Sequence, residues 1–348
     1  MEEEKYMRRC IELARNGLCN VSPNPMVGAV IVCDGQIIGE GYHIRCGEAH
    51  AEVNAIRSVK NPALLKRSTI YVSLEPCSHQ GKTPPCADLI IEKGIPRIVI
   101  GCQDPFAQVA GRGILKLRNA GREVKVGVLE SECRELIRKF ITFHTHHRPY
   151  ITLKWAESAD GFIDKIRTNG HPVHLSTPLT SMLVHKRRAE SDAIMVGTRT
   201  ALLDNPSLTV RNWYGHNPVR VVLDRKRLLP ASLHLFDDSV RTLVFTDGEY
   251  PNSKCTEYLP LNYSTDILPQ VMEALYNRGI QSLLVEGGSE LLQSFINAAL
   301  WDEAFVERSA MILESGVKAP QINDKKRCPA EKYFGVTTEH YIRSAIQP

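Results

Sequence analysis

Apolar residues recur at helical spacing over the first fifteen positions: Tyr6, Cys10 and Leu13 along one line, Met7, Ile11 and Ala14 along the next. That pattern predicts an amphipathic helix, with Gly17 placed to cap its C-terminus. Ser22-Pro23-Asn24-Pro25 then forces a turn before the apolar run 27–32, which reads as a buried strand. Asp34-Gly35 is a type I′ hairpin signal, so 36–39 begins the returning strand. A helix is predicted over 49–59, opened by His50, with buried strands over 69–74 and 97–101. Between those strands Pro85-Cys86-Ala87 opens a further helix, its proline near the first turn.

The polar segment His144-Thr145-His146-His147-Arg148-Pro149 interrupts this periodicity, and a second apolar region follows it. There the pattern predicts strands over 151–155, 193–197, 219–224, 242–246 and 282–286, with helices over 267–277 and 290–298. Strands alternating with helices at this pitch predict layered α/β folds on both sides of the polar segment. The expected domains are residues 1–145 and 150–348, and a length of 348 residues suits two separate cores.

Composition adds limits. With 43% hydrophobic and 24% charged residues, the chain is an ordinary globular protein. A net charge of +4 and 7% aromatics do not suggest the basic, aromatic-rich surface that an RNA-binding domain needs. The start Met-Glu-Glu-Glu-Lys lacks an apolar signal segment and no run is long enough to span a bilayer, so a reducing cytoplasm is expected. Ten cysteines in that setting read as metal ligands where clustered and as packing or surface elsewhere.

One cluster carries chemistry. His50-Ala51-Glu52 is followed by Glu75-Pro76-Cys77 and, nine residues on, Cys86. One imidazole and two thiols suit tetrahedral zinc with its fourth position open. Glu52 is not needed as a ligand and is free to move protons on a zinc-bound water. On one helix, positions i and i+2 do not face each other, so His50 and Glu52 must approach the metal and its water from different sides. Cys86 at a helix start would meet the positive end of the helix dipole, which favours its thiolate. His79, between the thiols, is a competing fourth ligand, and the three histidines of the polar segment lack a ligand spacing. In the second half no G-x-G-x-x-G occurs, but Glu286-Gly287-Gly288-Ser289 joins a strand to a helix. It reads either as an ordinary tight turn or as a backbone cradle for a phosphate.

The H-x-E…P-C…C arrangement is that of the zinc deaminases. The runs Ser22-Pro23-Asn24-Pro25-Met26-Val27-Gly28, Gly47-Glu48-Ala49-His50-Ala51-Glu52-Val53-Asn54-Ala55 and Leu74-Glu75-Pro76-Cys77-Ser78-His79-Gln80-Gly81-Lys82-Thr83-Pro84-Pro85-Cys86 resemble the bifunctional riboflavin-biosynthesis deaminase/reductases. The long loop between the cysteines separates that family from tRNA adenosine deaminases, which close with C-x-x-C. Leu153-Lys154-Trp155-Ala156-Glu157-Ser158-Ala159-Asp160-Gly161, then Asp204-Asn205-Pro206-Ser207-Leu208-Thr209-Val210-Arg211, then Val285-Glu286-Gly287-Gly288 resemble its reductase half.

The resemblance implies a cytidine-deaminase-like α/β/α layered domain and a dihydrofolate-reductase-like α/β domain. It implies zinc-hydroxide deamination of 2,5-diamino-6-(5-phosphoribosylamino)pyrimidin-4(3H)-one by a hydrolase acting on a cyclic amidine, with Glu52 shuttling protons. It further implies NADPH reduction of 5-amino-6-(5-phosphoribosylamino)uracil to the ribityl compound. On that basis Ala156, Thr200, Asp204 and Gly288 contact NADPH, while Lys154, Arg188, Leu208, Arg211 and Glu286 hold the substrate, the arginines at its phosphate. Asn24 and Lys82 are candidates for the deaminase substrate; the plain alternatives are a turn former and a solvated loop charge. Arg225 and Arg227 are candidates for a cofactor 2′-phosphate or a solvated basic turn.

The chain departs from the family pattern at His174-Leu175-Ser176, where a Trp usually precedes Ile-Thr-Ser, and at the irregular Asp164-Lys165-Ile166-Arg167. It departs again at Val306-Glu307-Arg308-Ser309-Ala310-Met311, which lacks the usual Pro and Gly-rich turn. The expected partners are small-molecule phosphoribosyl pyrimidines and further copies in a homo-oligomer, with neither nucleic acid nor membrane. Two other readings stand beside this one: a nucleic-acid base deaminase with an RNA-binding second domain, and a non-enzymatic module with a structural zinc, which would require a fourth protein ligand.

Overall fold

The computed structural model describes residues 2–78, 84–106, 110–167, 171–323, 325–333 and 336–344. They form two compact units, Met1–His147 and Arg148–Pro348.

The first unit has strands β1 (Gly28–Cys33), β2 (Gln36–Tyr42), β3 (Thr69–Leu74), β4 (Arg97–Cys102) and β5 (Glu123–Val126) in the order β2-β1-β3-β4-β5. β1 is antiparallel to β2 and β3, whereas β3, β4 and β5 are parallel. Its helices are α1 (Glu2–Arg15), α2 (Ala51–Ser58), α3 (Cys86–Glu92), α4 (Arg112–Asn119), α5 (Glu130–Leu136) and α6 (Arg138–His146). β1 is buried at every position because helices cover both faces of the sheet. Val30, Val32, Tyr71 and Val99 pack on one side with α1 and α5. Ala29, Ile31, Ile70, Val72, Ile98 and Ile100 pack on the other with α2, α3 and α4. This is the expected α/β/α layering.

Three local expectations change. Gly17 does not take the left-handed cap conformation; Cys19 does, at φ 71°. Gly17 is instead a point of close approach, where a Cβ would lie 2.5 Å from the His43 carbonyl oxygen. The second helix begins at Ala51, and His50 is its N-cap in extended backbone, φ −70° and ψ 165°. The polar segment before the second unit is helical through His146, and the His144 ring packs against Phe106, Phe140 and Phe143.

In the second unit β6 (Tyr150–Glu157), β7 (Phe162–Asp164), α7 (Pro178–Ala189), β8 (Ala193–Val196), α8 (Thr198–Asp204), β9 (Val219–Leu223), β10 (Thr242–Thr246) and β11 (Thr256–Pro260) come first. There follow α9 (Ile267–Tyr276), β12 (Ser282–Val285), α10 (Ser289–Asn297), β13 (Glu303–Arg308), β14 (Val317–Lys318), β15 (Lys326–Arg327), β16 (Glu331–Tyr333) and β17 (Val336–Ile342). The main sheet runs β11-β10-β9-β8-β12-β6-β13-β17-β15, with β16 also on β17. Strands from β11 through β13 are parallel, and β17 returns antiparallel to β13. α9 and α10 pack on Ile151, Leu153, Leu243, Phe245, Leu283 and Val285, while Ile194, Val196, Val222, Val244 and Leu284 fill the opposite core. The domain has the α/β architecture expected, a mostly parallel sheet with helices on it and an antiparallel return at one side. The atypical stretch after Val306 does not interrupt the sheet: β13 pairs in register with β6 and β17 through Arg308.

Candidate active sites

In the first unit the ends of three elements converge. β3 delivers Cys77 just beyond Leu74, α3 begins at Cys86, and His50 caps α2. Pro85 is the N-cap of α3, which leaves Cys86 as its first helical residue. The His50 Nδ1 lies 3.6 Å from the Cys77 sulfur and 3.4 Å from the Cys86 sulfur, and all three ligand atoms fall within 4.8 Å of one another. Around tetrahedral zinc the N···S edge is about 3.5 Å, from Zn–S of about 2.3 Å and Zn–N of about 2.0 Å. The donor set therefore matches tetrahedral zinc on both N···S edges, and its S···S edge lies within 4.8 Å. Among the described residues it is the only three-ligand cluster.

The Cys86 backbone N–H donates to the Cys77 sulfur at 3.3 Å, and both sulfurs face the one imidazole nitrogen. Donation from Cys86, then from His50, holds the Cys77 thiol well below the usual thiol range, and the hydrogen bond to Cys77, then burial, pushes Cys86 up. A soft divalent cation suits such a pair by displacing the Cys86 thiol proton. Glu52 is 3% exposed and outside the ligand set, in the first turn of α2. Burial, then the Cys77 charge, pushes its carboxyl up to about 7. Because His50 is not helical, the i, i+2 restriction does not apply, and imidazole and carboxyl reach one site from separate backbone geometries.

Two supporting residues were missed in the sequence. Glu75 is buried and accepts four backbone N–H groups: Asp104 and Gly111 on Oε2, Gly113 and Ile114 on Oε1, at 2.9–3.2 Å. It ties the Cys77 loop to the start of α4, and its only sequence signal is its place before Pro76-Cys77. His43 has no such signal. Its Nδ1 meets the Ala49 carbonyl at 3.1 Å, its Nε2 meets the Asn24 amide nitrogen at 3.0 Å, and its ring stands edge-on to His50. Burial lowers its pKa, so a neutral ring donates from Nδ1 and accepts at Nε2. Asn24 thus serves both readings, with its backbone in a turn to Val21 and its amide directed to His43. Lys82 and His79 lie outside the described residues.

In the second unit a cavity of about 630 Å³ opens at the carboxyl ends of β6, β8, β9 and β12. Ligands of open α/β sheets sit at such ends. Lys154, Ala156, Thr200, Asp204, Glu286 and Gly288 all line it. Gly288 has φ 72°, and a Cβ on Gly287 would sit 2.9 Å from the Thr200 methyl, so side chains are excluded where the strand turns into α10. Arg188 holds Glu286 through two bonds, 2.6 and 3.0 Å, and also donates to the Thr209 carbonyl. Burial alone would raise the Glu286 carboxyl, but Arg188 and then Lys154 hold it below the usual range. Burial lowers the Lys154 ammonium, against the pull of Glu307 and Glu286.

Other predicted residues stand elsewhere. The Leu208 side chain is 2% exposed in the core, so only its backbone, in left-handed conformation at φ 52°, is left to meet a substrate. Arg211 is exposed, donates to the Thr209 hydroxyl, and its backbone N–H donates to His185. Arg225 pairs with Asp247 and lies over Tyr263, and Arg227 lies over Tyr250 and Tyr258; neither lines the cavity. His174, Leu175 and Ser176 do line it, where the family pattern has its Trp. Arg167, in the irregular segment, was not picked out as a site residue, yet it lines the cavity and pairs with Asp164 and Asp204 at 2.6 and 2.5 Å.

Comparison with known proteins agrees with both halves. Residues 1–102 match the cytidine and deoxycytidylate deaminase zinc-binding region, and residues 149–316 match the RibD C-terminal domain. The riboflavin biosynthesis protein RibD of Bacillus amyloliquefaciens is 41% identical, over 92% of this chain and 87% of its own. That of Escherichia coli K12 is 37% identical, over 91% and 90%. A crystal structure of the diaminohydroxyphosphoribosylaminopyrimidine deaminase/5-amino-6-(5-phosphoribosylamino)uracil reductase of Thermotoga maritima is 40% identical and superposes with a TM-score of 0.89, covering 98% of this chain and 99% of that one. The chain belongs to the RibD family of bifunctional riboflavin-biosynthesis enzymes, with a deaminase half and a reductase half.

Proposed function

We propose that the first unit deaminates 2,5-diamino-6-(5-phosphoribosylamino)pyrimidin-4(3H)-one and the second reduces the product, 5-amino-6-(5-phosphoribosylamino)uracil. The observation that carries the deaminase reading is the set His50 Nδ1, Cys77 Sγ and Cys86 Sγ, with Glu52 buried beside it and not part of it. Among the described residues the cluster offers three protein ligands rather than four, which favours catalysis over a closed structural site. Zinc held there supplies the Lewis acidity that makes water a nucleophile at neutral pH. Glu52 takes the proton that water gives up and returns it to the ring nitrogen and the departing ammonia. Asn24 and His43, bonded to each other, form the wall beside His50. Lys82 is proposed to hold the phosphoribosyl group.

NADPH, when held in the second unit's cavity, would supply the hydride that reduces C1′ of the substrate. Ala156, Thr200, Asp204 and Gly288 are proposed to seat the cofactor, the last through backbone N–H groups at the start of α10. As the C1′–O4′ bond breaks, its electron pair goes to O4′, which takes a proton from the Lys154 ammonium. Glu286 and Arg188 orient the substrate, with Arg211 and the Leu208 backbone at its far end. The small-molecule substrates and the modest net charge support an enzyme without a nucleic-acid partner, and the family resemblance is the ground for placing it in the cytoplasm. The family resemblance alone supports a homo-oligomer, which light scattering would test.

Product analysis with and without NADPH tests the whole reading. The diaminopyrimidinone should give ammonia and the aminouracil alone in the absence of NADPH, and the ribityl compound in its presence. NADPH oxidation without the deaminated product counts against it.

A further inference from the structure

The second unit buries a carboxylate that the proposed chemistry does not yet use. Glu307 lies on β13 opposite Ala156 of β6, and it is 3% exposed. Its Oε1 accepts from the Thr180 hydroxyl at 2.6 Å and its Oε2 from the Ser176 hydroxyl at 2.9 Å. The Lys154 ammonium stands 3.7 Å from Oε2. Thr180 belongs to the capping box that starts α7, and Ser176 and Lys154 both line the cavity. One side chain therefore joins the start of α7, the wall ahead of it and the half-buried lysine.

A purely structural tie does not require charge here. Glutamine in the same place would accept from Thr180 and donate to the Ser176 oxygen, whose hydroxyl is free to turn. A buried carboxylate is costly unless a cation answers it, and Lys154 is the only cation within salt-bridge distance of Glu307 among the described residues. Lys154 needs that carboxylate in turn. The groups facing it are Glu307 from β13, Glu286 after β12, and Arg187 and Arg188 from α7, with His185 beyond Glu286. Glu286 is already held by Arg188 through two bonds, and both arginines repel the ammonium. Glu307 is the carboxylate in this group that no arginine bonds. It also sits in the stretch where the sequence departs from the family pattern, so the resemblance does not supply it.

We propose that Glu307 is a positioning residue of the reductase: it keeps Lys154 charged and aimed into the cavity while clamping the Ser176–Thr180 wall. This rests on the proposed reduction, in which O4′ takes one proton from Lys154 as the C1′–O4′ bond opens and hydride from NADPH arrives at C1′. Solvent then restores the proton to Lys154.

The test compares Glu307→Gln and Ser176→Ala with the parent in the full-length chain. NADPH oxidation with the aminouracil substrate is followed against pH, and the lysine side-chain NMR signals are titrated in parallel, that of Lys154 being assigned with Lys154→Arg. Removing the negative charge lowers the lysine pKa, so Glu307→Gln should move the alkaline limb of kcat, and the Lys154 titration, about one pH unit to lower pH. KM should stay within about twofold. Ser176→Ala should raise KM and leave the limb in place. Glu307→Gln with the parent's limb, kcat and Lys154 titration overturns the proposal. Should the parent fail to oxidise NADPH with this substrate, the reduction reading fails, and the NMR titration still decides whether Glu307 sets the Lys154 charge.

Discussion

The Nδ1 of His50 lies 3.4 Å from the sulfur of Cys86, 36 residues along the chain, and 3.6 Å from that of Cys77. Three segments are folded so that one nitrogen meets two sulfurs at the edge lengths of a zinc tetrahedron. Purified protein should therefore carry about one zinc per chain. Cys77→Ala should carry well under a tenth of that by elemental analysis, and deamination should fall with it. Full zinc occupancy in Cys77→Ala would mean the ligand set is wrong.

Glu75 is the anchor of this arrangement. It receives four N–H groups from the approach to α4 and from its first turn. Glu75→Ala leaves those donors without an acceptor in a buried place, where each costs about 1–3 kcal/mol and the sum is not additive. The expected loss is about 3 kcal/mol or more in denaturant unfolding of the first unit. A loss under about 1 kcal/mol would show that water replaces the carboxylate freely.

The Arg188–Glu286 pair makes a pH prediction. Glu286 is 9% exposed at its side chain, and its carboxyl is held below the ordinary value of 4.5 despite burial. A carboxyl depressed by folding stabilises the native state at pH above its unfolded value and loses that contribution as pH falls through its folded value. Unfolding of the second unit should thus become easier on acidification from about pH 4.5 downward. Glu286→Gln should be less stable at neutral pH and show a flatter acid limb. An acid limb of equal slope in both proteins would assign it to other carboxyls.

Arg167 ties Asp204 to Asp164 beside the cavity. Arg167→Ala should raise KM for NADPH several-fold, with kcat changing less, because it frees the carboxylate that the cofactor is proposed to meet. Steady-state kinetics with varied NADPH check this. A change in kcat alone would place Arg167 in the chemistry rather than in the seat of the cofactor.

Much of this was legible from periodicity. β1, β3, β4, β6, β8, β9, β10 and β12 follow apolar runs, whereas β5, β15 and β16 are rich in charged residues and carry no such signal. Asp34 and Gly35 take the positive φ values, 50° and 74°, that a type I′ turn demands. The zinc ligands were legible because their chemistry is rare at that spacing. What escaped was set by tertiary contact. His50 was read as helical because Ala49 and the following residues have helical periodicity, whereas the metal corner needs it outside the helix. His43 and Glu307 earn their places through partners far along the chain, Asn24 and Lys154, which no local pattern displays. Leu208 carries an apolar side chain in a site motif, and burial claims that side chain for the core.

The most direct test of the account is Glu52→Gln assayed for zinc and ammonia together. Loss of the shuttling carboxyl should lower ammonia release by about 10²-fold or more, while zinc stays near one per chain and the aminouracil is still reduced at the parent's rate. Undiminished ammonia release from a zinc-loaded Glu52→Gln protein would contradict the account at its centre.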